Sequence, residues 1–273
     1  MPHRNLLAAL AAAAREAGAA LTAVPRPAPA DTPGQLAEEL IALEEPAAEV
    51  LRHRLAEIRP GVPWVEGLDD DVVPVSRGGE VWIVDVVDGA VQYVQGLPQF
   101  CVSLTLVRDG EPVAAVLHAP LLGGTYLAAR GHGATLDGRP VTPSGKTDPA
   151  AALVATGHPP FAARQPGAAE AAGRSLTAVL PHVGAVRSLG PASWQIADTA
   201  AGRLDAFWQF GRDGTGLLPG ALIAREAGAL VTDARGRHWT AGSDSVLVAA
   251  PGLHGRMLEL LAGIGLDGAT RRG

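Results

Sequence analysis

Apolar residues near the N-terminus recur at the spacing of α-helices. Residues 3–23 form one such pattern, and residues 34–58 form a second, in which apolar side chains recur at spacings of one, three and four. Residues 25–33 hold four prolines and predict a stiff linker or exposed loop. Pro46 is expected to kink or break the second helix, and Pro60 to end it.

From Val81 onward the apolar pattern becomes that of β-strands. Turn signals such as Asp109-Gly110 and Gly123-Gly124 separate the apolar segments. Strands in direct succession indicate an antiparallel sheet in the first half of the chain. The predicted strands are residues 82–85, 100–107, 112–118 and 125–129.

After Lys146 the pattern alternates between strand and helix, which indicates a second, layered α/β half. We therefore predict an N-terminal α+β half over residues 1–145, which contains the candidate metal segment, and a C-terminal α/β half over residues 146–273. The helices are expected at residues 167–181, 191–201, 217–228 and 251–262, and the strands at residues 184–188, 204–209, 229–232 and 245–249.

Composition and charge exclude several classes of protein. Hydrophobic residues make up 47% of the 273 residues and charged residues 18%, which argues against disorder. The net charge of −6 and the lack of a Lys/Arg run argue against a nucleic-acid partner. Cys101 is the only cysteine, so no intrachain disulfide can form, and its apolar neighbours indicate a buried strand cysteine.

The alanine-rich N-terminus is the one segment that could be taken for a targeting signal. Arg15 and Glu16 interrupt it, and the helical pattern continues to Leu21, which favours an amphipathic helix. No apolar run was expected to be long enough to span a bilayer. We therefore expect a cytoplasmic protein with no membrane partner.

The candidate chemistry lies in the segment from Trp82 to Ala90. A buried strand ends in Asp85, two apolar residues follow, and then come Asp88 and Gly89. A strand end followed by a tight turn can direct both carboxylates to one point, and Mg²⁺ prefers such oxygen ligands. From this segment alone, a simple Asp-Gly turn with a solvated Asp85 is an equally good interpretation.

The wider sequence resembles the inositol monophosphatase family. Residues 82–98 resemble its motif W-I-x-D-P-I-D-G-T-x-N-F-x-x-G-x-P, with matches at Trp82, Asp85, Asp88, Gly89, Gly96 and Pro98 and with Tyr93 in place of the motif's phenylalanine. Further landmarks follow in order, among them Gly110-Glu-Pro-Val, Arg130-Gly-His-Gly-Ala, Arg225-Glu-Ala-Gly and Gly242-Ser-Asp-Ser. The resemblance implies an α/β fold, a layered α-β-α-β-α sandwich, and a homodimer as the usual assembly.

The resemblance also implies a catalytic site in which two or three Mg²⁺ ions lie among acidic side chains. The two motif aspartates are present as Asp85 and Asp88, and the Val87 carbonyl is available as a third ligand. The first metal-binding glutamate of the family falls on Gly67, and the late metal-binding aspartate falls on Gly216. Neither glycine supplies a carboxylate.

Two further family positions are changed. The threonine that helps to hold the attacking water is Ala90 here, and the glutamate that contacts substrate is Gln209. The site is therefore expected to bind Mg²⁺ weakly or not at all. Loss of the second ion and of the hydroxyl should lower the rate by about 10³-fold or more.

Nearby acids could restore the site. These are Glu66, Asp69, Asp70 and Asp71 beside the lost glutamate, and Asp213 beside Gly216. The alternative interpretation of these residues is solvated loops. The sequence thus leaves two hypotheses open.

The first hypothesis is a pseudo-phosphatase with an incomplete metal site. It would serve as a structural or regulatory partner of another, biosynthetic enzyme, conceivably a sulfotransferase, or would form a homodimer. The alternative is a Mg²⁺-dependent phosphatase with rearranged ligands. Its small phosphorylated ligand would be an inositol phosphate or a compound similar to 3′-phosphoadenosine 5′-phosphate.

Overall fold

The computed structural model of the chain describes residues 3–25, 31–66 and 79–266. The helices are α1 (His3–Ala23), α2 (Pro33–Ile58), α3 (Ala90–Val94), α4 (Ala168–Val179), α5 (Ala192–Ala200), α6 (Gly214–Ala227) and α7 (Pro251–Leu261). The strands are β1 (Trp64–Glu66), β2 (Glu80–Asp88), β3 (Cys101–Arg108), β4 (Glu111–Ala119), β5 (Gly124–Ala129), β6 (Ala134–Leu136), β7 (Arg139–Pro140), β8 (Leu153–Thr156), β9 (Ala185–Arg187), β10 (Ala206–Phe210), β11 (Leu230–Thr232) and β12 (Ser245–Ala249).

The two sheets differ in topology. The first has seven strands in the order β1-β2-β3-β4-β5-β6-β7, antiparallel except for the parallel pair β1 and β2. The second has five strands in the order β11-β12-β10-β8-β9 and is mixed, because β10 pairs in parallel with β8 and antiparallel with β12. The antiparallel sheet predicted for the first half is confirmed.

The helices form three layers around these two sheets. Helices α1 and α2 cover one face of the seven-stranded sheet, and α6 with its neighbour α5 covers the opposite face. Helix α5 also contacts β10 and β12, so the α5–α6 pair lies between the sheets, while α4 and α7 pack on the far face of the five-stranded sheet. The predicted α-β-α-β-α sandwich is confirmed, and the division at residue 145 stays a prediction.

Helix α2 corrects one local prediction, because it runs through Pro46 without a break. The buried residues Leu43, Ala47, Leu51 and Leu55 lie on both sides of the proline and belong to one core cluster with α1. Burial of this apolar side outweighs the one backbone hydrogen bond that a proline removes. The helix begins at Thr32, whose side chain accepts a hydrogen bond from the Gln35 N–H.

Helix α1 corrects a second expectation. By length and composition alone, Asn5–Ala23 could cross a membrane, although no apolar run was expected to do so. In the structure Leu10, Ala14 and Leu21 are fully buried against the sheet. The apolar character of α1 is therefore used in the protein core.

Other differences arise where packing, and not local pattern, decides the structure. Strand β2 continues to Asp88, so Asp88 is the last strand residue and not part of the following turn. Helix α6 begins at Gly214, three residues before the predicted start, because glycines and Pro219 weaken the helical pattern there. Strand β8 was not predicted.

One carboxylate joins the seven-stranded sheet to the central helices. Glu226 on α6 accepts hydrogen bonds from the backbone N–H groups of Gly131, His132 and Gly133, at 2.8, 3.0 and 2.9 Å. Gly131 and Gly133 have φ values of +76° and +77°, which favour glycine. The β5–β6 turn thus closes around a side chain from the neighbouring layer.

Candidate metal site

Asp85 and Asp88 lie near the end of β2, where the strand is irregular. The pairing of β2 with β3 shifts register between these two residues. In a regular strand, residues three apart point to opposite faces, so the irregularity is what lets both carboxylates approach one another. The Asp85 carboxylate also accepts a hydrogen bond from the Val87 N–H at 3.1 Å. This bond fixes the orientation of the Asp85 carboxylate.

Asp88 is the most constrained acid in the site. Its Oδ2 accepts a short hydrogen bond from the hydroxyl of Ser193, a buried residue on α5, and lies 4.0 Å from the thiol sulfur of Cys101. Burial raises the pKa of Asp88 well above its usual range, and the negative charges of Asp85 and Asp213 raise this pKa further, although the Ser193 hydrogen bond lowers it.

The turn after Asp88 requires glycine. Gly89 has φ of +92°, and a Cβ there would lie 2.9 Å from the Gln99 carbonyl oxygen. Ala90 follows as the first residue of α3. Because α3 starts immediately beside the two aspartates, a hydroxyl at residue 90 would lie next to the site, and Ala90 supplies none.

Asp213 directly precedes α6, and its carboxylate lies against Gly216 in the first turn of that helix. A Cβ built on Gly216 would overlap Oδ1 of Asp213 and lie 3.3 Å from its Cγ. Oδ2 of Asp213 accepts a hydrogen bond of 3.3 Å from the side-chain amide of Gln209. Of the predicted replacement acids, Asp213 is therefore one whose carboxylate lies against Gly216, and its role as a metal ligand stays a prediction.

Gln209 is fully buried at the end of β10. Its Nε2 donates to Asp213, whereas its Oε1 has no hydrogen-bond partner in the structure. A Cβ on Gly157 would lie 2.8 Å from this oxygen. Any larger residue at position 157 would therefore collide with the Gln209 amide. A glutamate at residue 209 would face Asp213 with a second negative charge in place of a hydrogen-bond donor.

The remaining predicted ligands lie near β1. Glu66 is the last residue of this strand, and its backbone is paired with Val84, one residue before Asp85. Gly67, Asp69, Asp70 and Asp71 lie outside the described residues. Their part in the site stays a prediction.

The described donor groups alone are too few for a pair of Mg²⁺ ions. Within residues 3–25, 31–66 and 79–266, no three His, Cys, Asp or Glu side chains form a group that could hold a metal ion. Asp85, Asp88 and the Val87 carbonyl, with Asp213 beside them, are the groups that would hold a single ion. Mg²⁺ bound by so few protein ligands keeps most of its water.

Two contacts in the site were not predicted from sequence. The hydrogen bond of Ser193 to Asp88 joins α5 to the end of β2, and no local sequence pattern predicts it. Cys101 is buried in a strand, as predicted, but its proximity to Asp88 follows only from the pairing of β2 with β3. Burial and the charges of Asp88 and Asp85 raise the pKa of the Cys101 thiol, which makes it a poor nucleophile.

Comparison with known proteins identifies the family. Residues 3–265 match the profile of the inositol monophosphatase family. The chain belongs to this family. The resemblance noted from sequence is thereby confirmed, and inositol monophosphatase family proteins are typically Mg²⁺-dependent.

Relatives of two kinds are similar to the chain. An inositol-1-monophosphatase of Rhizobium meliloti is 33% identical over 190 residues, which is 70% of each protein. A protein named Nus factor SuhB from Pseudomonas aeruginosa is 35% identical over 158 residues, which is 58% of each. Among inositol monophosphatase family structures, the enzyme of Anabaena (Nostoc) sp. PCC 7120 superposes with a TM-score of 0.81 at 22% identity, covering 97% of this chain and 98% of that one. Mycobacterium tuberculosis SuhB superposes with a TM-score of 0.77 at 28% identity, with the same coverage.

Proposed function

We propose that this member of the inositol monophosphatase family is a pseudo-phosphatase that acts by contact with another protein. The main support is the small donor set, because the described residues contain no group of three or more His, Cys, Asp or Glu side chains that could hold a metal ion. Gly216 lacks the carboxylate of the family, and Ala90 lacks the hydroxyl. Asp88 is hydrogen bonded to Ser193 within the protein.

The surface beside the site is suited to a protein partner. Val91, Leu97 and Leu189 are large apolar residues with 53%, 50% and 46% of their surface exposed. The side chain of Gln92 on α3 lies against Gly190. Val91 and Leu189 are the sequence neighbours of these two residues, and the Leu97 N–H donates to the Gln92 carbonyl. Exposed apolar residues grouped in this way are typical of interaction surfaces. A second copy of the chain and a different protein are both candidates for this surface.

The names of some relatives refer to a role other than catalysis, and those of others to the phosphatase reaction. Several similar proteins are named Nus factor SuhB, a name that refers to no phosphatase reaction. For the present chain, a sulfotransferase is the first class of partner to test. The reason is that enzymes of the wider superfamily hydrolyse 3′-phosphoadenosine 5′-phosphate, the by-product of sulfotransferases.

Phosphate release from inositol 1-phosphate and from 3′-phosphoadenosine 5′-phosphate, measured with Mg²⁺, tests the proposal directly. Turnover should be negligible, and a kcat above about 1 s⁻¹, an ordinary value for enzymes, would refute it. A pull-down from the native host tests the proposed contact with another protein. The same partner should be recovered with wild-type protein and with Asp85→Asn, because the contact does not depend on the metal site.

A second candidate function is favoured by the position of Asp213. The Asp213 carboxylate occupies the space that a side chain at residue 216 would fill. Asp213 would then replace the acid that is missing from the metal site at Gly216. The chain would then be a Mg²⁺-dependent phosphatase acting on a small phosphate monoester. Mg²⁺-dependent phosphate release that Asp213→Ala abolishes would support this candidate and contradict the first.

A further inference from the structure

A solvent-open cavity of about 430 Å³ lies beside the start of α6, apart from Asp85 and Asp88. One wall is formed by Arg212, which precedes Asp213, and the other by the β11–β12 connection. The lining side chains are those of two arginines, two aspartates, a histidine, a threonine and a serine, together with Gly242. A pocket of this composition is suited to a charged ligand.

The positively charged lining comes from Arg212 and Arg237. Nε of Arg237 donates to Asp233 at 2.6 Å, and the guanidinium has further N–H groups on a side chain that is 63% exposed. Nε2 of His238 lies 3.4 Å from the Arg225 guanidinium, which can only donate. The proton of a neutral His238 is therefore assigned to Nδ1, which becomes a third donor group.

The two acids in the lining are already engaged. Asp233 accepts hydrogen bonds from the backbone N–H groups of Arg235 and Arg237 as well as from the Arg237 side chain. Asp244 accepts a hydrogen bond from Ser245 and forms an ion pair of 3.6 Å with Arg235. Arg237 balances the charge of Asp233 and Arg235 balances that of Asp244, so Arg212 supplies the remaining positive charge of the lining.

The floor of the cavity is a tight turn that offers hydroxyl groups. The Thr240 N–H donates to the Ser243 hydroxyl at 3.1 Å, and the Ser243 N–H donates to the Thr240 carbonyl at 2.9 Å. Because the Ser243 hydroxyl acts as an acceptor within the turn, its own proton is available for a ligand. Gly242 between them is exposed, and a Cβ there would meet nothing within 4 Å.

We propose that this cavity binds the phosphate group of a small phosphorylated molecule, at a site separate from Asp85 and Asp88. Arginine, imidazole and hydroxyl side chains line it, and phosphate offers several acceptor oxygens to such donors. The cavity is larger than one phosphate, so an organic group fits beside it.

The cavity wall is joined to the segment that carries Asp213. The Gly211 N–H donates to the Asp244 carbonyl at 2.8 Å. A Cβ on Gly214 would overlap the Ala241 carbonyl oxygen, so the two backbone segments are in direct contact. A ligand in the cavity would therefore lie against the backbone that positions the start of α6.

Isothermal titration of the full chain with inorganic phosphate, at ionic strength fixed with sodium chloride, tests the proposal. Gly242→Asp places a negative charge in the open space of the turn and should abolish binding, while Gly242→Ala should retain it. Arg212→Ala should weaken binding about tenfold, as expected for loss of one charge-assisted hydrogen bond. Arg139→Ala, an exposed arginine outside the cavity, should have no effect.

Phenylphosphonate, which cannot be hydrolysed, serves as a second probe. Tighter binding than that of phosphate would show that the organic group occupies the remaining volume, and equal binding would show a site for free phosphate. Both results support the proposal. It is overturned if wild-type protein does not bind phosphate, if Gly242→Asp binds as well as Gly242→Ala, or if Asp85→Asn/Asp88→Asn abolishes binding. None of these results depends on whether the chain has phosphatase activity.

Discussion

The carboxylate of Asp213 occupies the space into which a side chain at residue 216 would extend. Gly216 leaves this space open, and Gln209 supplies a hydrogen bond that holds the carboxylate there. The three residues therefore form one arrangement, in which each depends on the others. A substitution at Gln209, Asp213 or Gly216 is therefore expected to lower stability unless a second of these residues is changed with it.

Gly216→Asp tests this arrangement. The new Cβ would force Asp213 to rotate away from Gln209, so the variant should lose about 1 kcal/mol of unfolding free energy, the usual value of one hydrogen bond. Chemical denaturation measures this loss. In the double variant Gly216→Asp/Asp213→Ala the conflict is absent, and the two effects should not add. Additive effects would show that the residues do not interact.

Mg²⁺ should stabilise the protein only slightly. With two carboxylates and one carbonyl as protein ligands, we expect a dissociation constant in the millimolar range or weaker. A few millimolar Mg²⁺ should then raise the free energy of unfolding by less than about 1 kcal/mol. Thermal denaturation with Mg²⁺ and Mn²⁺ measures this, with Asp85→Asn as the control. A large rise in melting temperature that Asp213→Ala removes would instead indicate a working metal site.

Gly18 in α1 is expected to be intolerant of a methyl group. A Cβ there would lie 2.9 Å from the His118 ring and 3.1 Å from Pro120, so Gly18→Ala should cost about 1–3 kcal/mol despite the higher helix propensity of alanine. Gly34 in α2 is the matched control, because a Cβ there would meet nothing within 4 Å. Gly34→Ala should be neutral or slightly stabilising in thermal denaturation. Equal effects of the two substitutions would contradict the described packing of α1.

Acidification should destabilise the protein through His118. Burial lowers the pKa of His118, and the positive charge of Arg15 lowers it further. The unfolded chain therefore binds more protons than the folded chain between the lowered pKa and the ordinary histidine pKa, about 6.5, so stability is lost as the pH falls through this range.

The measurement is chemical denaturation between pH 5 and pH 8, a range chosen to bracket that ordinary value approximately. His118→Asn should flatten the pH dependence, and Arg15→Ala should reduce it. If His118→Asn leaves the slope unchanged, other groups determine it. His254 is the next candidate, because burial also lowers its pKa.

The sequence predicted the layers of the fold better than the details of the site. Strands such as β12 and helices such as α4 were predicted within about two residues, because periodicity and turn residues are local signals. The contact between Ser193 and Asp88 joins residues more than a hundred positions apart, and no local pattern encodes it. The position of Asp213 over Gly216 depends on the N-terminal geometry of α6, whose start the pattern placed too late.

The hydrogen bonds between Glu226 and the β5–β6 turn bear on how such a protein can change over evolution. They fasten the seven-stranded sheet to the central helices with protein groups alone, through residues other than the acids of the candidate site. A chain whose layers are held in this way can lose metal ligands one at a time and keep its shape. Its surfaces then stay available to a partner whether or not the site binds a metal ion.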